Sequence, residues 1–228
     1  MTEKSSDLVY EILPDDYNKK DISFKIIVIG DSGVGKSSLT NKATRDIFEE
    51  NYHATVGFEF FTFNIKIKGK VISLQIWDTC GEELFRSLIT NFYRNTSLAI
   101  IVYSVTSEES FQDIDMWLKE LRTHANPDVK VFLIGNKIDL EEERKISKEE
   151  GEKFAKINNF DKFVETSAKT GINALNTFVE IAFLLYENYL KFKEEENKSY
   201  INSNSFQSVE SKGTKLVKKK KKKKSGCC

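Results

Sequence analysis

Short apolar runs, separated by polar segments with helical periodicity, dominate the middle of the chain. Residues 24–29 are mostly apolar and β-branched and stop at Gly30, which is typical of a buried strand. Alternating apolar residues on both sides of Gly69 predict a hairpin made of residues 60–67 and 71–77. Similar runs predict further buried strands at residues 98–105, 129–134 and 163–167.

Helical patterns lie between these strands. Thr106 with Glu109, and Ser147 with Glu150, have the spacing of capping boxes ahead of apolar helical stripes. Residues 175–189 carry one broad apolar face, which predicts a last helix. Strands that alternate with helices predict an α/β fold, with a six-stranded, mostly parallel sheet, one antiparallel hairpin strand and helices on both faces.

The two ends of the chain differ from its middle. Residues 1–22 are polar, contain Pro14 and lack periodicity, so we interpret them as an N-terminal extension. The folded domain is predicted over residues 23–192. From residue 193 the sequence is polar and repetitive with no apolar period, which predicts a flexible tail over residues 193–228.

Composition adds an asymmetry of charge that the net value of zero conceals. The 228 residues include 35 basic and 35 acidic ones, but the segment from Lys212 onward holds nine lysines and no acid. The rest of the chain therefore balances 26 basic against 35 acidic residues and has a net charge of −9. An acidic body argues against nucleic acid as a partner, whereas the cationic tail suggests an anionic surface.

Membrane-spanning and secreted classes find no support in the sequence. The longest apolar run near the end, residues 181–186, is far shorter than the roughly 20 residues of a spanning helix. The first residues have no apolar signal core. Three cysteines, two of them the last residues, are no disulfide framework and are typical of a reducing compartment.

The first strand runs directly into a glycine-rich motif, GDSGVGKS at residues 30–37. This is the P-loop pattern G-x-x-x-x-G-K-[ST] in its strand-to-helix context. Backbone N–H groups of such a loop surround phosphate oxygens, Lys36 adds a positive charge, and the Ser37 hydroxyl can ligate Mg²⁺. A plain glycine-rich turn with an exposed lysine is the alternative, and the flanking patterns argue against it. The candidate phosphate-binding residues are Gly30, Ser32, Gly33, Val34, Gly35, Lys36, Ser37 and Ser38.

A second motif, Asn136-Lys137-Ile138-Asp139, closes the predicted strand at residues 129–134. The Asp139 carboxylate offers two acceptor oxygens to the N1–H and amino group of guanine, an edge that adenine does not present. Such a tetrapeptide alone is a weak signal, because the same residues make ordinary loops. It becomes specific when it follows a P-loop at the carboxyl edge of the same sheet.

Asp78 follows the hairpin and Thr55 precedes it. Taken singly, Asp78 has the alternative of a helix N-cap, and Thr55 that of an ordinary loop hydroxyl. With all of these motifs in order, the sequence resembles the small Ras-like GTPases, and among them the Rab proteins, over about residues 23–192. The Rab-like stretches are VGFEF at residues 56–60, LQIWD at 74–78, FYR at 92–94 and the terminal Cys227-Cys228.

The resemblance implies a P-loop NTPase G domain that binds GTP or GDP with Mg²⁺. Phe48 would lie edge-on against guanine, and Ser167, Ala168 and Lys169, within ETSAK at residues 165–169, would form the last guanine-contacting loop. Ser37, Thr55 and Asp78 would hold Mg²⁺, the last through water, and the Gly81 N–H would meet the γ-phosphate. Phe60, Trp77 and Phe92 would form an aromatic cluster that faces effectors, although plain core packing accounts for them equally.

One position departs from the family pattern. The usual Asp-Thr-Ala-Gly-Gln-Glu is Asp-Thr-Cys-Gly-Glu-Glu at residues 78–83, so Glu82 replaces the glutamine that positions the attacking water. A carboxylate keeps an acceptor for that water, but it lacks the amide donor and adds charge beside the phosphates.

The resemblance further implies a switch that hydrolyses GTP and regulates vesicle traffic at the cytoplasmic face of an intracellular membrane, cycling with the cytosol. Geranylgeranyl groups on Cys227 and Cys228, with the lysine run from Lys218 to Lys224, would anchor it. Implied partners are effectors, an exchange factor, a GTPase-activating protein, an escort protein and a dissociation inhibitor. Two alternatives stay open: a P-loop nucleotide kinase, which the Asn136–Asp139 motif and the lack of an arginine-rich lid oppose, and a GTP-binding membrane module with negligible hydrolysis, which Glu82 favours.

Overall fold

The apolar runs form the centre of one sheet in the computed structural model, which describes residues 9–50, 57–79 and 92–210. The strands are β1 (Tyr10–Leu13), β2 (Ile22–Ile29), β3 (Phe58–Ile67), β4 (Lys70–Thr79), β5 (Leu98–Ser104), β6 (Lys130–Asn136) and β7 (Lys162–Glu165). The helices are α1 (Lys36–Arg45), α2 (Glu108–Gln112), α3 (Ile114–His124), α4 (Lys148–Ile157) and α5 (Ala174–Glu210), with a 3₁₀ turn at Glu141–Glu143.

The strand order is β1-β3-β4-β2-β5-β6-β7. Strands β4, β2, β5, β6 and β7 are mutually parallel, and β3 is the antiparallel partner of β4. Lys68 and Gly69 turn the chain between β3 and β4 with φ values of 50° and 78°, which suits the right-handed twist of a hairpin. The predicted fold class is confirmed: an α/β domain with a mostly parallel sheet.

The predicted number of six strands is wrong, because β1 adds a seventh from the N-terminal segment. It pairs antiparallel with the end of β3, from Tyr10 opposite Ile67 to Leu13 opposite Asn64. The buried Asn64 side chain secures the following residues, since its Nδ2 donates to the carbonyls of Pro14 at 2.8 Å and Asp15 at 3.1 Å. Four residues before a proline are too few to show a period, which is why the pattern missed this strand.

Helices cover both faces of the sheet. On one face, alternate residues of β2 and β5, such as Ile27 and Ile101, pack in a buried cluster with Trp117 and Leu121 of α3. On the other face, Phe63 of β3 lies against Phe178 of α5, with 6.2 Å between ring centroids. The capping box at Ser147 and Glu150 is present at the start of α4.

The first capping prediction is wrong in its residue. Ser107, not Thr106, caps α2, and its side chain accepts from the Ser110 N–H. The apolar stripe predicted as one helix is split at Asp113 into α2 and α3.

The last helix continues beyond residue 192, where the tail was predicted to begin, as far as Glu210. Glutamate and lysine have good helix propensity, and Lys193 pairs with Glu196 at 2.8 Å, but neither feature gives an apolar period. The chain divides into two compact units, with the boundary between Tyr186 and Glu187. Among the described helices, none combines the length and apolar character needed to cross a bilayer.

Candidate nucleotide-binding site

The site lies at the carboxyl ends of β2, β4 and β6, where ligands of open α/β sheets bind. Between β2 and α1 the chain turns through the loop at residues 30–35, and Gly35 occupies the N-cap of α1 with φ 96°. Within the part of the chain that the structure describes, no side chain caps this helix, and its first turn, from Lys36, holds no acid. The N–H groups at the start of α1, together with the positive end of the helix dipole, suit a phosphate group.

Two glycines of this loop are required by close contacts. A Cβ on Gly30 would stand 2.2 Å from the carbonyl oxygen of Val102, and one on Gly35 would stand 2.4 Å from Nδ2 of Asn136. Lys36 is buried, and its Nζ donates to the carbonyls of Gly30 at 2.9 Å and Asp31 at 2.7 Å. The loop therefore lies directly on β5 and β6, with its lysine held inside the curve.

Other members of the predicted phosphate set differ in exposure. Ser32 and Gly33 are exposed, whereas Val34 is buried and Ser38 is half-buried. These positions belong to the same loop and the first turn of α1, as the motif requires.

Asp78 and Ser37 meet beneath the loop. The Ser37 hydroxyl donates to Oδ2 of Asp78, while Oδ1 of Asp78 is buried without a hydrogen-bond partner among the described residues. Burial raises the pKa of Asp78 to about 6, against the opposing effects of the Ser37 hydroxyl and the Lys36 ammonium. Mg²⁺ takes oxygen ligands and retains several waters, so a hydroxyl beside a carboxylate with a spare oxygen fits this ion.

Asn136 joins the phosphate loop to a second loop, residues 166–169. Its Nδ2 donates to the Val34 carbonyl at 2.9 Å. Its Oδ1 accepts from the Thr166 hydroxyl at 3.1 Å and from the Ala168 N–H at 3.2 Å. Because Asn136 is 1% exposed, these bonds are shielded from water and fix the two loops relative to each other.

Asp139 and Ser167 also come together. The Ser167 hydroxyl donates to Oδ1 of Asp139 at 2.6 Å, which fixes the orientation of that carboxylate. Lys137, between Asn136 and Asp139, adopts φ 69°, an uncommon conformation for a residue other than glycine. Burial lowers the pKa of Lys137, with the nearby Asp139 opposing the shift. The motif and the 166–169 loop thus place the Asp139 carboxylate at the same end of the sheet as the phosphate loop.

The remaining predicted contacts lie around this edge or outside the described residues. Phe48 is half-buried after α1, and the Lys169 ammonium lies 3.8 Å from the Glu50 carboxylate. Thr55, Gly81 and Glu82 fall outside the described residues, as do Lys218 to Lys224, Cys227 and Cys228.

Of the three predicted aromatic residues, Phe60 and Phe92 both contact the third, Trp77. Its ring centroid is 5.1 Å from that of Phe60 and 5.2 Å from that of Phe92. Phe58, which was not part of the predicted cluster, also contacts Trp77 at 5.3 Å and Phe92 at 4.9 Å between ring centroids. Phe58 and Phe60 are 49% and 44% exposed, so this aromatic cluster forms a surface as well as packing the hairpin. Its role toward effectors stays a prediction.

Two polar pairs near the site were not predicted from the sequence. Trp117 of α3 donates its indole N–H to Oδ1 of Asp31 at 2.7 Å, and burial raises the pKa of that carboxyl. Arg144 forms an ion pair with Glu165 at 2.6 Å. Asp31 and Trp117 are 86 residues apart, and no local pattern signals such a contact.

A glycine-rich loop suited to phosphate, an oxygen pair suited to Mg²⁺ and an aspartate at the same end of the sheet are the features of the class of P-loop guanine nucleotide-binding proteins. The family model of the Ras family matches residues 25–187. The chain is similar to Ras-related protein RIC2 of Oryza sativa, 42% identical over 172 residues that cover 75% of this chain and 77% of the relative. It is 43% identical over 162 residues to Rab-8 of Diplobatis ommata, covering 71% and 77%, and to Rab-8A of Bos taurus, covering 71% and 78%. The chain belongs to the Ras family of small GTPases, enzymes that hydrolyse GTP, and within it to the Rab proteins.

Proposed function

We propose that this protein is a GTP/GDP switch of the Rab type that regulates vesicle traffic from the cytoplasmic face of an intracellular membrane. The observation that carries the proposal is the bridge made by Asn136, which bonds to the phosphate loop through Val34 and to the 166–169 loop through Thr166 and Ala168. Through this bridge, the groups suited to phosphate and those suited to guanine form one site.

Each part of the site has a separate task in nucleotide binding. The N–H groups of the loop and Lys36 hold the phosphates, and Asp139 accepts from the two N–H groups of guanine. Ser37 ligates Mg²⁺ directly and Asp78 holds the ion through water, and the ion would neutralise phosphate charge when bound. By resemblance, Thr55 and Gly81 contact the γ-phosphate, so that its loss releases both segments and with them the effectors.

Glu82 favours a second candidate, a GTP-binding membrane module with negligible hydrolysis. In the family pattern a glutamine orients the attacking water at this position. A glutamate accepts a hydrogen bond from that water but donates none, and its charge opposes that of the transition state. The two candidates share the nucleotide site and differ only in the chemical step.

Single-turnover phosphate release separates the two candidates. We expect the full chain, loaded with GTP and Mg²⁺, to release one phosphate per bound nucleotide, with the rate changed in Glu82→Gln and Glu82→Ala. Intrinsic rates of this class are on the order of 10⁻⁴ s⁻¹, so the assay runs for hours. Glu149→Gln, an exposed acid on α4, serves as the control and keeps the parent's rate. Release only from Glu82→Gln supports the non-hydrolysing module, and failure of the parent to bind GTP contradicts both candidates.

The membrane anchor is a proposal about the last residues of the chain. A C-a-a-X signal needs cysteine at position 225, which is serine, whereas a terminal Cys-Cys resembles the Rab site for two geranylgeranyl groups. One lipid chain gives marginal binding and two give stable anchoring. Lysines near an anionic leaflet add about 1 kcal/mol each, so the lysine run supplements the lipid and selects acidic membranes.

The Cys227→Ser/Cys228→Ser variant is expected to move from membranes to the cytosol. Fractionation of cells that express the parent, this variant and Ser225→Ala as the control measures the shift, and mass spectrometry of the intact tail measures the lipid. Replacement of the seven lysines at 218–224 by glutamine is expected to reduce binding to acidic membranes and leave the lipid in place. Membrane retention of the double-serine variant, or an unmodified parent tail, contradicts the anchor.

The partners follow from the same proposal. Effectors bind the aromatic cluster of Phe58, Phe60, Trp77 and Phe92 together with the GTP-dependent segments. An exchange factor and a GTPase-activating protein control the nucleotide state. An escort protein delivers the chain for prenylation, and a dissociation inhibitor carries the lipidated form through the cytosol.

A further inference from the structure

We propose that Arg144 and Glu165 act as a positioning pair that slows the release of guanine nucleotides. The pair holds the two guanine-recognition loops, residues 137–147 after β6 and residues 166–169 after β7, in a fixed relative position. The inference rests on the proposed function, since it concerns the affinity and base selectivity of the same site. Neither residue is proposed to touch the nucleotide. Both act through Asp139 and Ser167, which lie on the two loops that the pair joins.

The geometry of the pair is that of a two-pronged ion pair. One guanidinium nitrogen of Arg144, Nη1, lies 2.6 Å from Oε1 of Glu165, and Nη2 lies 3.4 Å from Oε2. The side chains are 17% and 12% exposed, unlike the mostly exposed ion pairs elsewhere on the domain. A largely shielded pair with two bonds fixes orientation as well as distance, and loss of one partner leaves the other charge uncompensated.

On the first loop, Arg144 fixes the segment that directly follows Asp139. Its Nε donates to Oε2 of Glu141 at 2.8 Å, and its Nη1 also donates to the Ile146 carbonyl at 3.1 Å. The 3₁₀ turn at Glu141–Glu143 lies between Asp139 and Arg144. The guanidinium therefore contacts this segment at Glu141 and at Ile146 while it pairs with the Glu165 carboxylate.

On the second loop, Glu165 is the last residue of β7 and stands two positions before Ser167. Its own carbonyl accepts from Nδ2 of Asn173 at 2.8 Å, so side chain and backbone are both held. The loops meet again nearer the base site, where the Ile138 N–H donates to the Thr166 carbonyl at 3.2 Å and Ser167 donates to Asp139. The ion pair is thus a further connection between the same two loops, more distant from the base site than these contacts and those of Asn136.

The ion pair between Arg144 and Glu165 affects the orientation of the Asp139 carboxylate. The Ser167 hydroxyl can hold Oδ1 of Asp139 only while the two loops keep their separation, which is 2.6 Å between these atoms. Without the ion pair, that separation depends on the contacts nearer the base site, which are those of Asn136, Ile138 and Ser167. The carboxylate then has more orientations, and hydrogen bonds to both N–H groups of guanine are lost more often.

The test measures release of fluorescent GDP and the ratio of affinities for GDP and IDP, whose base lacks the amino group that Asp139 is proposed to bind. We expect Arg144→Gln and Glu165→Gln each to release GDP roughly 10- to 100-fold faster and to lower the GDP/IDP ratio. The double variant should resemble either single one, because the pair acts as a unit. Arg144→Lys, which keeps the charge but loses the fork, should fall between Arg144→Gln and the parent.

The matched control is Lys148→Gln/Glu152→Gln, an exposed pair on α4 at 3.6 Å whose loss leaves both readouts unchanged. Thermal unfolding of the GDP-bound forms checks that every variant is folded. Parent-like release and selectivity in the single variants overturn the inference and leave the proposed function intact. Faster release with an unchanged GDP/IDP ratio also overturns it, since that result assigns the pair to general stability. A parent that does not bind GDP overturns the proposed function itself.

Discussion

Replacement of Asp139 by alanine is expected to weaken GDP binding by about 10³-fold, since it removes two hydrogen bonds from guanine to a charged acceptor. The parent should discriminate against ATP by about 10⁴ or more, because adenine leaves that carboxylate unpaired. Displacement of fluorescent GDP by GTP, ATP and xanthosine diphosphate measures both quantities. Asp139→Asn offers an amide donor to the carbonyl that xanthine has in place of the guanine amino group, and should therefore prefer the xanthine nucleotide.

The control for this prediction is Glu142→Ala, an exposed acid on the 3₁₀ turn that should bind like the parent. Equal displacement by ATP and GTP from the parent would show that the guanine assignment is wrong. A GDP affinity of Asp139→Ala equal to that of the parent would place the base elsewhere.

Loss of the Asp78 carboxylate is expected to abolish most of the Mg²⁺ dependence of nucleotide binding. The parent should release GDP much faster when the metal is chelated, whereas Asp78→Ala should release it fast with or without Mg²⁺. The exposed Asp128→Ala provides the control. An Asp78→Ala variant that keeps the full response to chelation would contradict the role of Asp78 in holding Mg²⁺.

The pH dependence of Mg²⁺ binding follows from the same carboxylate. Burial raises the pKa of Asp78 to about 6, so the metal-free carboxylate is ionised above this value and increasingly protonated below it. Because protonation removes the charge that holds the hydrated metal, its apparent affinity falls as the pH drops through 6, by up to about 10-fold at pH 5. Phosphate groups titrate in the same range, so the informative quantity is the part of the pH dependence that disappears in Asp78→Asn.

The parts of the site that the sequence could predict are those in which chemistry fixes both residue type and spacing. The P-loop follows β2 directly, and Asn136 ends β6, so local order along the chain was enough to find them. The exact partners were not predictable in this way. The contacts of Asn136 with Val34 and of Trp117 with Asp31 join residues 102 and 86 positions apart, and they depend on the final arrangement of loops and helices.

The fold was predictable where burial produces a long or regular pattern and not elsewhere. Strand β5 is buried at all seven positions and reads as a continuous apolar run. Strand β1 has four residues, mostly exposed, and its pairing partner is more than 50 residues away. The polar continuation of α5 lacks an apolar stripe, so periodicity could not extend the helix to Glu210.

Strand β1 also determines how the sheet ends. It occupies the outer hydrogen-bonding groups of β3 from Asn64 to Ile67, which would otherwise form a bare edge open to strands of other molecules. The new edge is only four residues long, carries the Glu11–Lys66 ion pair and stops at Pro14, which has no N–H to donate. The N-terminal segment thus covers the Asn64–Ile67 end of the β3 edge with a short, charged strand that discourages pairing with other molecules there.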